Sequence, residues 1–150
     1  MPHSYCCLLY HLVFSTKDRR PDLTVDIRQR VFTYTGGIIR SEKGILLTIG
    51  GTEDHVHLLA RLRQDRALSE QLRDIKSRSS RWIHETFPDK KAFGWQGGYG
   101  AFAVSPSQVR HVQKYIENQE SHHRKMDFRT EFLRILEKHG VEYDERYIWH

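Results

Sequence analysis

The chain has 150 residues, a formal net charge of +5 with its ten histidines counted neutral, and 38% hydrophobic residues arranged in short runs. That length suits one domain spanning residues 1–150, able to bury roughly 70% of its unfolded surface. No run approaches the roughly 20 apolar residues needed to cross a bilayer, and the basic start and cleavage pattern of a secretory leader are missing, so a soluble cytoplasmic protein is expected.

Tyr5 to Thr16 reads as a first strand. Within it Cys6 and Cys7 are adjacent, so they point to opposite faces and cannot form an ordinary disulfide with each other. They are expected to be reduced, semi-buried packing residues. Thr24 to about Lys43 predicts a helix with the stripe Ile27, Val31, Tyr34 and Ile38, and Gly36-Gly37 within it implies a kink or close packing. Ile45 to Gly50 and His55 to Arg61 predict two strands joined by a short turn. A helix from Leu68 to Phe87 and a strand from about Tyr99 to Val104 follow. The order β-α-β-β-α-β predicts an α+β fold, a ferredoxin-like antiparallel sheet with helices on one face. The opposite face is expected to be open.

Past the last strand, Ser105-Pro106-Ser107-Gln108 predicts a helix start, with Ser105 as N-cap, Pro106 at the first helical position and Gln108 completing a capping box. The helix carries the stripe Val109, Val112 and Ile116. At 100° per residue, Tyr115 falls roughly 95° and Gln119 roughly 55° from the stripe centre, stacked i, i+4 beside the core face. His122 falls one turn beyond Gln119. An amphipathic piece from Asp127 to His139 completes the chain, with Phe128, Phe132, Leu133, Ile135 and Leu136 apolar.

The most informative run is Asp54-His55-Val56-His57-Leu58-Leu59. Val56, Leu58, Ala60 and Leu62 form one row of the strand, so His55, His57 and Arg61 point the other way. Two imidazoles about 7 Å apart on one strand face can hold a divalent metal. H-x-H alone is also compatible with two half-exposed strand histidines, and Tyr115 alone with a boundary aromatic covering the core edge.

Taken together, Asp54-His55-Val56-His57-Leu58-Leu59, Trp95-Gln96-Gly97-Gly98-Tyr99-Gly100 leading into Val104-Ser105, and Tyr115-Ile116-Glu117-Asn118-Gln119-Glu120-Ser121-His122-His123 occur in the order found in a known family. The sequence resembles the HUH single-tyrosine transposases of very small bacterial and archaeal insertion sequences, over nearly its whole length. The resemblance implies that Tyr115 is the nucleophile, that His55, His57 and Gln119 bind a catalytic Mg²⁺ or Mn²⁺, and that single-stranded DNA is cleaved and rejoined through a 5′-phosphotyrosine. It also implies a homodimer acting on hairpin-containing element ends, often with one subunit's tyrosine helix serving the other's histidines. Glu53 stands where many relatives have proline, a departure that touches the turn before the strand and no ligand.

In that context the outward residues of the Leu68 to Trp82 segment, including Arg73, Lys76 and Arg81, become candidate phosphate contacts rather than a merely solvated face. Trp95 and Tyr99 are candidate base-stacking residues, with a glycine-rich bulge as the alternative. No phosphate-binding G-x-x-x-x-G-K-[ST] loop is present, which agrees with a covalent intermediate that needs no nucleotide cofactor. A relaxase would ordinarily be longer, and a two-histidine phosphoesterase would need two H-x-[ST] strands where only His84-Glu85-Thr86 occurs, in a predicted helix end. The non-enzymatic alternative is an inactive single-stranded nucleic-acid binder on the same fold.

Overall fold

The computed structural model describes residues 3–149. In chain order it contains β1 (Leu9–Ser15), α1 (Val25–Ser41), β2 (Ile45–Gly51), β3 (His55–Arg61), α2 (Leu68–Thr86), β4 (Gly100–Ala103), α3 (Val109–Glu117), α4 (Gln119–His122) and α5 (Phe128–Lys138). The strands form one antiparallel sheet in the order β2-β3-β1-β4, the ferredoxin-like arrangement expected from the alternation of elements.

The period of two in the strands divides the core. Leu12 and Phe14 of β1 join Val56, Leu58 and Ala60 of β3 against Ile27, Val31 and Ile38 of α1 and Leu72, Ile75 and Ile83 of α2. Full burial of each such side chain is worth about 1.5–3 kcal/mol, which fixes the register because a one-residue slip would turn the whole row outward. Gly36 is buried in α1, where a Cβ would stand 3.3 Å from Leu46 Cδ2, so close packing on β2 is the outcome there and α1 runs unbroken. Tyr34, on the expected stripe, sits at its edge with 36% exposure and stacks on Trp82, ring centroids 4.5 Å apart.

β1 begins at Leu9 rather than Tyr5 because its partner β3 ends at Arg61, opposite Leu9. The preceding residues have no ladder to join. Tyr5 is 92% exposed, and Cys6 and Cys7 are exposed thiols instead of semi-buried packing residues.

The second sheet face departs from expectation most. It is covered by α3, α4 and α5, not left open. Val13 and Phe102 face Phe128, Phe132, Ile135 and Leu136, and His55 and His57 are completely buried. α3 lies directly on β2, since a Cβ on Gly50 would come within 2.3 Å of the Ile116 carbonyl oxygen. Its start also differs in detail. Pro106–Gln108 form a 3₁₀ turn, and the Ser105 hydroxyl pairs with that of Ser107 at 2.9 Å, leaving the expected capping box unmade. Asp127, by contrast, caps α5 by accepting a hydrogen bond from the Thr130 amide.

Candidate active site

Strand alternation places His55 and His57 on one sheet face, as the sequence predicts, but that face lies beneath α3–α5. Tyr115 is half-buried near the end of α3, its ring 5.6 Å from that of His57. The helix breaks after Glu117, with Asn118 at φ −95° and ψ 18°, and α4 restarts at Gln119. That break turns Gln119 inward, to 1% exposure, with Oε1 2.9 Å from His55 Nε2.

The centre of the cluster is a residue that the sequence reading did not single out. Glu131 of α5, 2% exposed, aims one carboxylate oxygen at the histidines and the other at the tyrosine. Oε1 lies 3.1 Å from His57 Nε2, 3.5 Å from His55 Nε2 and 2.8 Å from His123 Nε2. Oε2 accepts hydrogen bonds from the Tyr115 hydroxyl and from Gln119 Nε2, the latter at 2.9 Å, with His122 Nε2 at 3.7 Å. A signal for Glu131 exists in the sequence. It occupies the apolar stripe Phe128, Phe132, Ile135, where a charge is anomalous.

A second overlooked residue is His11, a buried polar side chain among the apolar residues of β1. Its Nε2 is 2.8 Å from His57 Nδ1, and the two rings stack 5.0 Å apart. His55 Nδ1 is held in the same manner by Asp54 Oδ1 at 2.8 Å and Thr52 Oγ1 at 3.0 Å. Partners on the Nδ1 side fix ring orientation and direct both Nε2 atoms at the same point.

Electrostatics follow from this packing. Burial pushes His57 down to about 4, with Glu131 pulling the other way. His11, disfavoured as a cation by burial and by His57, falls to about 3. Burial alone would raise the Glu131 carboxyl, but hydrogen bonds from His123, His57 and Tyr115 outweigh it and hold the carboxyl well below its usual range. For Tyr115, burial and the facing carboxylate raise the phenol far above its ordinary value. For His123, burial opposes the charge, yet hydrogen bonding and charge from Glu131 prevail and the net shift is upward.

His55, His57 and Glu131 each offer one donor atom, all within 4.8 Å of one another and all buried. Two imidazole nitrogens and a carboxylate oxygen, with the Gln119 amide oxygen beside them, form a mixed set suited to a divalent first-row metal or Mg²⁺. Every buried side-chain polar atom described has a hydrogen-bond partner.

Four of the five candidate DNA contacts converge elsewhere. Arg73, Lys76, Trp95 and Tyr99 line a groove of about 610 Å³ beside α2, whereas Arg81 is exposed outside it. Lys76 donates to the Gly98 carbonyl at 2.8 Å, and partial burial lowers its ammonium to about 8. Trp95 is committed to packing, with its ring edge-on to Phe14 and Phe93 at 4.9 Å and its Nε1 donating to Ser79 Oγ. Its neighbour Gln96 is buried and structural, accepting from the Ser15 amide and donating to the Ile148 carbonyl.

A ferredoxin-like sheet that buries a histidine pair against a tyrosine, a glutamine and a carboxylate defines a compact α+β protein with a metal-compatible tyrosine centre. The family described as "Transposase IS200 like" matches residues 4–119, and the chain belongs to it. It is 27% identical over 117 residues to the ISDra2 transposase TnpA of Deinococcus radiodurans, covering 75% of this chain and 84% of that protein. A 1.90 Å crystal structure of a D. radiodurans protein described as a transposase superposes with a TM-score of 0.65 at 26% identity, covering 79% of this chain and 96% of that one. The structure of a REP-associated tyrosine transposase bound to a REP hairpin shares the fold, with a TM-score of 0.60 at 17% identity over 82% of this chain and 73% of that one. The family match stops before α5, so Glu131 lies outside it.

Proposed function

We propose that this protein cleaves and rejoins single-stranded DNA at insertion-sequence ends through a 5′-phosphotyrosine on Tyr115, with a divalent cation held by His55, His57 and Glu131 and with Gln119 alongside. The observation that carries the reading is that the Tyr115 hydroxyl and His57 Nε2 reach opposite oxygens of one buried carboxylate within a single chain. Membership of the transposase family supplies the reaction class.

In the cleavage step, the Tyr115 oxygen forms a bond to phosphorus as the P–O3′ bond breaks. The phenol proton passes to the Glu131 carboxylate, its hydrogen-bond acceptor, and the departing 3′-oxygen, on the far side of phosphorus, takes its proton from water. His55, His57 and Glu131 would hold a divalent cation such as Mg²⁺ or Mn²⁺, which when bound would supply Lewis-acid polarisation of the scissile phosphate and offset the Glu131 charge that raises the phenol. Asp54 and His11 hold the imidazoles in orientation, and the covering helices exclude bulk water. Reversal of the same step rejoins the strand, since the phosphotyrosine bond conserves the energy of the phosphodiester and no nucleotide cofactor enters.

The natural substrate in this reading is a hairpin-bearing single strand, in keeping with the hairpin bound by the REP-associated neighbour. Arg73, Lys76, Arg81 and Tyr99 contact DNA away from the tyrosine, with Trp95 behind them as support. The working form is a homodimer, and light scattering at working concentration is expected to return twice the chain mass; a monomeric mass would count against it.

The central test is a denaturing-gel assay for a covalent protein–DNA adduct, using hairpin-bearing single strands from the DNA flanking the gene. A metal-dependent adduct is expected with wild type and not with Tyr115→Phe or in chelator. Tight strand binding with metal retained and no adduct would instead identify an inactive nucleic-acid-binding protein.

A further inference from the structure

A groove of about 580 Å³ runs between α3 and α5 over the outer edge of β4, and Tyr115 and Glu131 stand on its floor. Its volume falls within the roughly 300–1,000 Å³ typical of small-ligand sites. We infer that this groove holds the sugar and base of the nucleotide on the 3′ side of the cut, the one that stays tethered to Tyr115 through its 5′-phosphate. The inference rests on the proposed tyrosine chemistry and specifies where its substrate lies.

Three observations support this occupant. Position comes first. An in-line displacement places the departing 3′-oxygen on the far side of phosphorus from the Tyr115 oxygen, whereas the tethered nucleotide can lie on the tyrosine's own side. Tyr115 and Glu131 line the groove, with His11 and His122, while His55, His57 and Gln119 are not part of its wall. Shape is second. One wall is aromatic, with the His139 ring beside Phe102 at 4.5 Å, and Val112 of α3 and Ile135 of α5 add apolar lining. Such a wall accepts any base by stacking, with no need to read its sequence. Charge is third. Arg134 and Lys138 of α5 and His111 of α3 are exposed along the lining, and among the described residues neither Arg134 nor Lys138 pairs with a carboxylate. Unpaired cations beside an apolar lining that leads to a phosphate-reactive tyrosine match a nucleotide better than an apolar peptide.

The test uses the full chain with thymidine 5′-monophosphate and, separately, thymidine 3′-monophosphate, followed by amide chemical-shift changes. The 5′-phosphate is expected to bind at least threefold more tightly and to shift Val104, Val112 and Ile135. Val112→Trp, which adds bulk to the lining, is expected to weaken binding at least tenfold. Should that variant unfold, Arg134→Glu combined with Lys138→Glu, both on the surface, is expected to weaken it by a similar factor at low salt. Shifts confined to the Lys76 groove, or equal affinities for the two isomers, or unchanged binding in the folded variants would overturn the inference. The adduct assay run in parallel separates the two ideas. An adduct without groove shifts removes the groove alone, and groove shifts without an adduct remove the tyrosine chemistry and leave a nucleotide site.

Discussion

Glu131 is the residue on which the candidate centre turns. One oxygen faces His55, His57 and His123, and the other faces Tyr115 and Gln119, so a single side chain links the metal-compatible cluster to the candidate tyrosine. Glu131→Gln preserves the shape but removes the charge and one acceptor. Its Mn²⁺ affinity by calorimetric titration is expected to fall at least tenfold, about 1.4 kcal/mol, and its adduct yield to fall with it. Unchanged Mn²⁺ affinity would show that the carboxylate is not a ligand. The spacing of His55 and His57 along one strand put both on one sheet face, whereas Tyr115 and Gln119 were singled out through the resemblance to the transposase family and lie on either side of the break at Asn118. Glu131 and His11 were harder to find because each meets the others only through tertiary packing, and a glutamate in an amphipathic helix is ordinarily solvated. The informative sign was its place in the stripe of Phe128, Phe132 and Ile135, and for His11 its place among the buried residues of β1.

At the scale of elements, periodicity located nearly every helix and strand, and the misses share a cause. The ends of β1 are set by the length of its partner β3, not by its own apolar run, which is why Tyr5, Cys6 and Cys7 stand outside the sheet. The helix expected to run on past Tyr115 breaks at Asn118, and Gln119, first residue of α4, is buried. Gly50 has a similar origin. It appeared only as a strand end, yet the absence of its side chain lets the α3 backbone rest on β2 and brings Tyr115 close enough to reach the histidines. Such contacts depend on which elements meet, and single-element periodicity does not contain that information.

For the whole molecule, burying this many titratable groups in one layer links folding to pH. His57 and His11 are held neutral, at about 4 and about 3, against about 6.5 in an unfolded chain. Below pH 6.5 the unfolded chain therefore binds more protons, and stability falls as the solution is acidified. Between pH 6.5 and 5 each of the two histidines withdraws about 2 kcal/mol. Glu131 and Asp54, both held below their ordinary values, add to the loss at still lower pH. His123, shifted upward, acts in the opposite sense, its contribution complete in acid and lost as pH rises through its folded value. The thermal midpoint of the metal-free protein is accordingly expected to drop by several degrees from pH 7.5 to pH 5 in differential scanning calorimetry, and a midpoint that rose on acidification would contradict the buried neutral histidines.

The placement of Glu131 on α5 has a consequence for how the protein comes into being. The sheet is complete once β4 has been made, and its central strand β1 must wait for partners supplied by β3 and β4. The carboxylate is made later still, after the tyrosine and both histidines. A nascent chain can thus form its sheet while the candidate centre is still missing a member, so in the proposed function the activity is withheld until synthesis has passed the helix that closes the site.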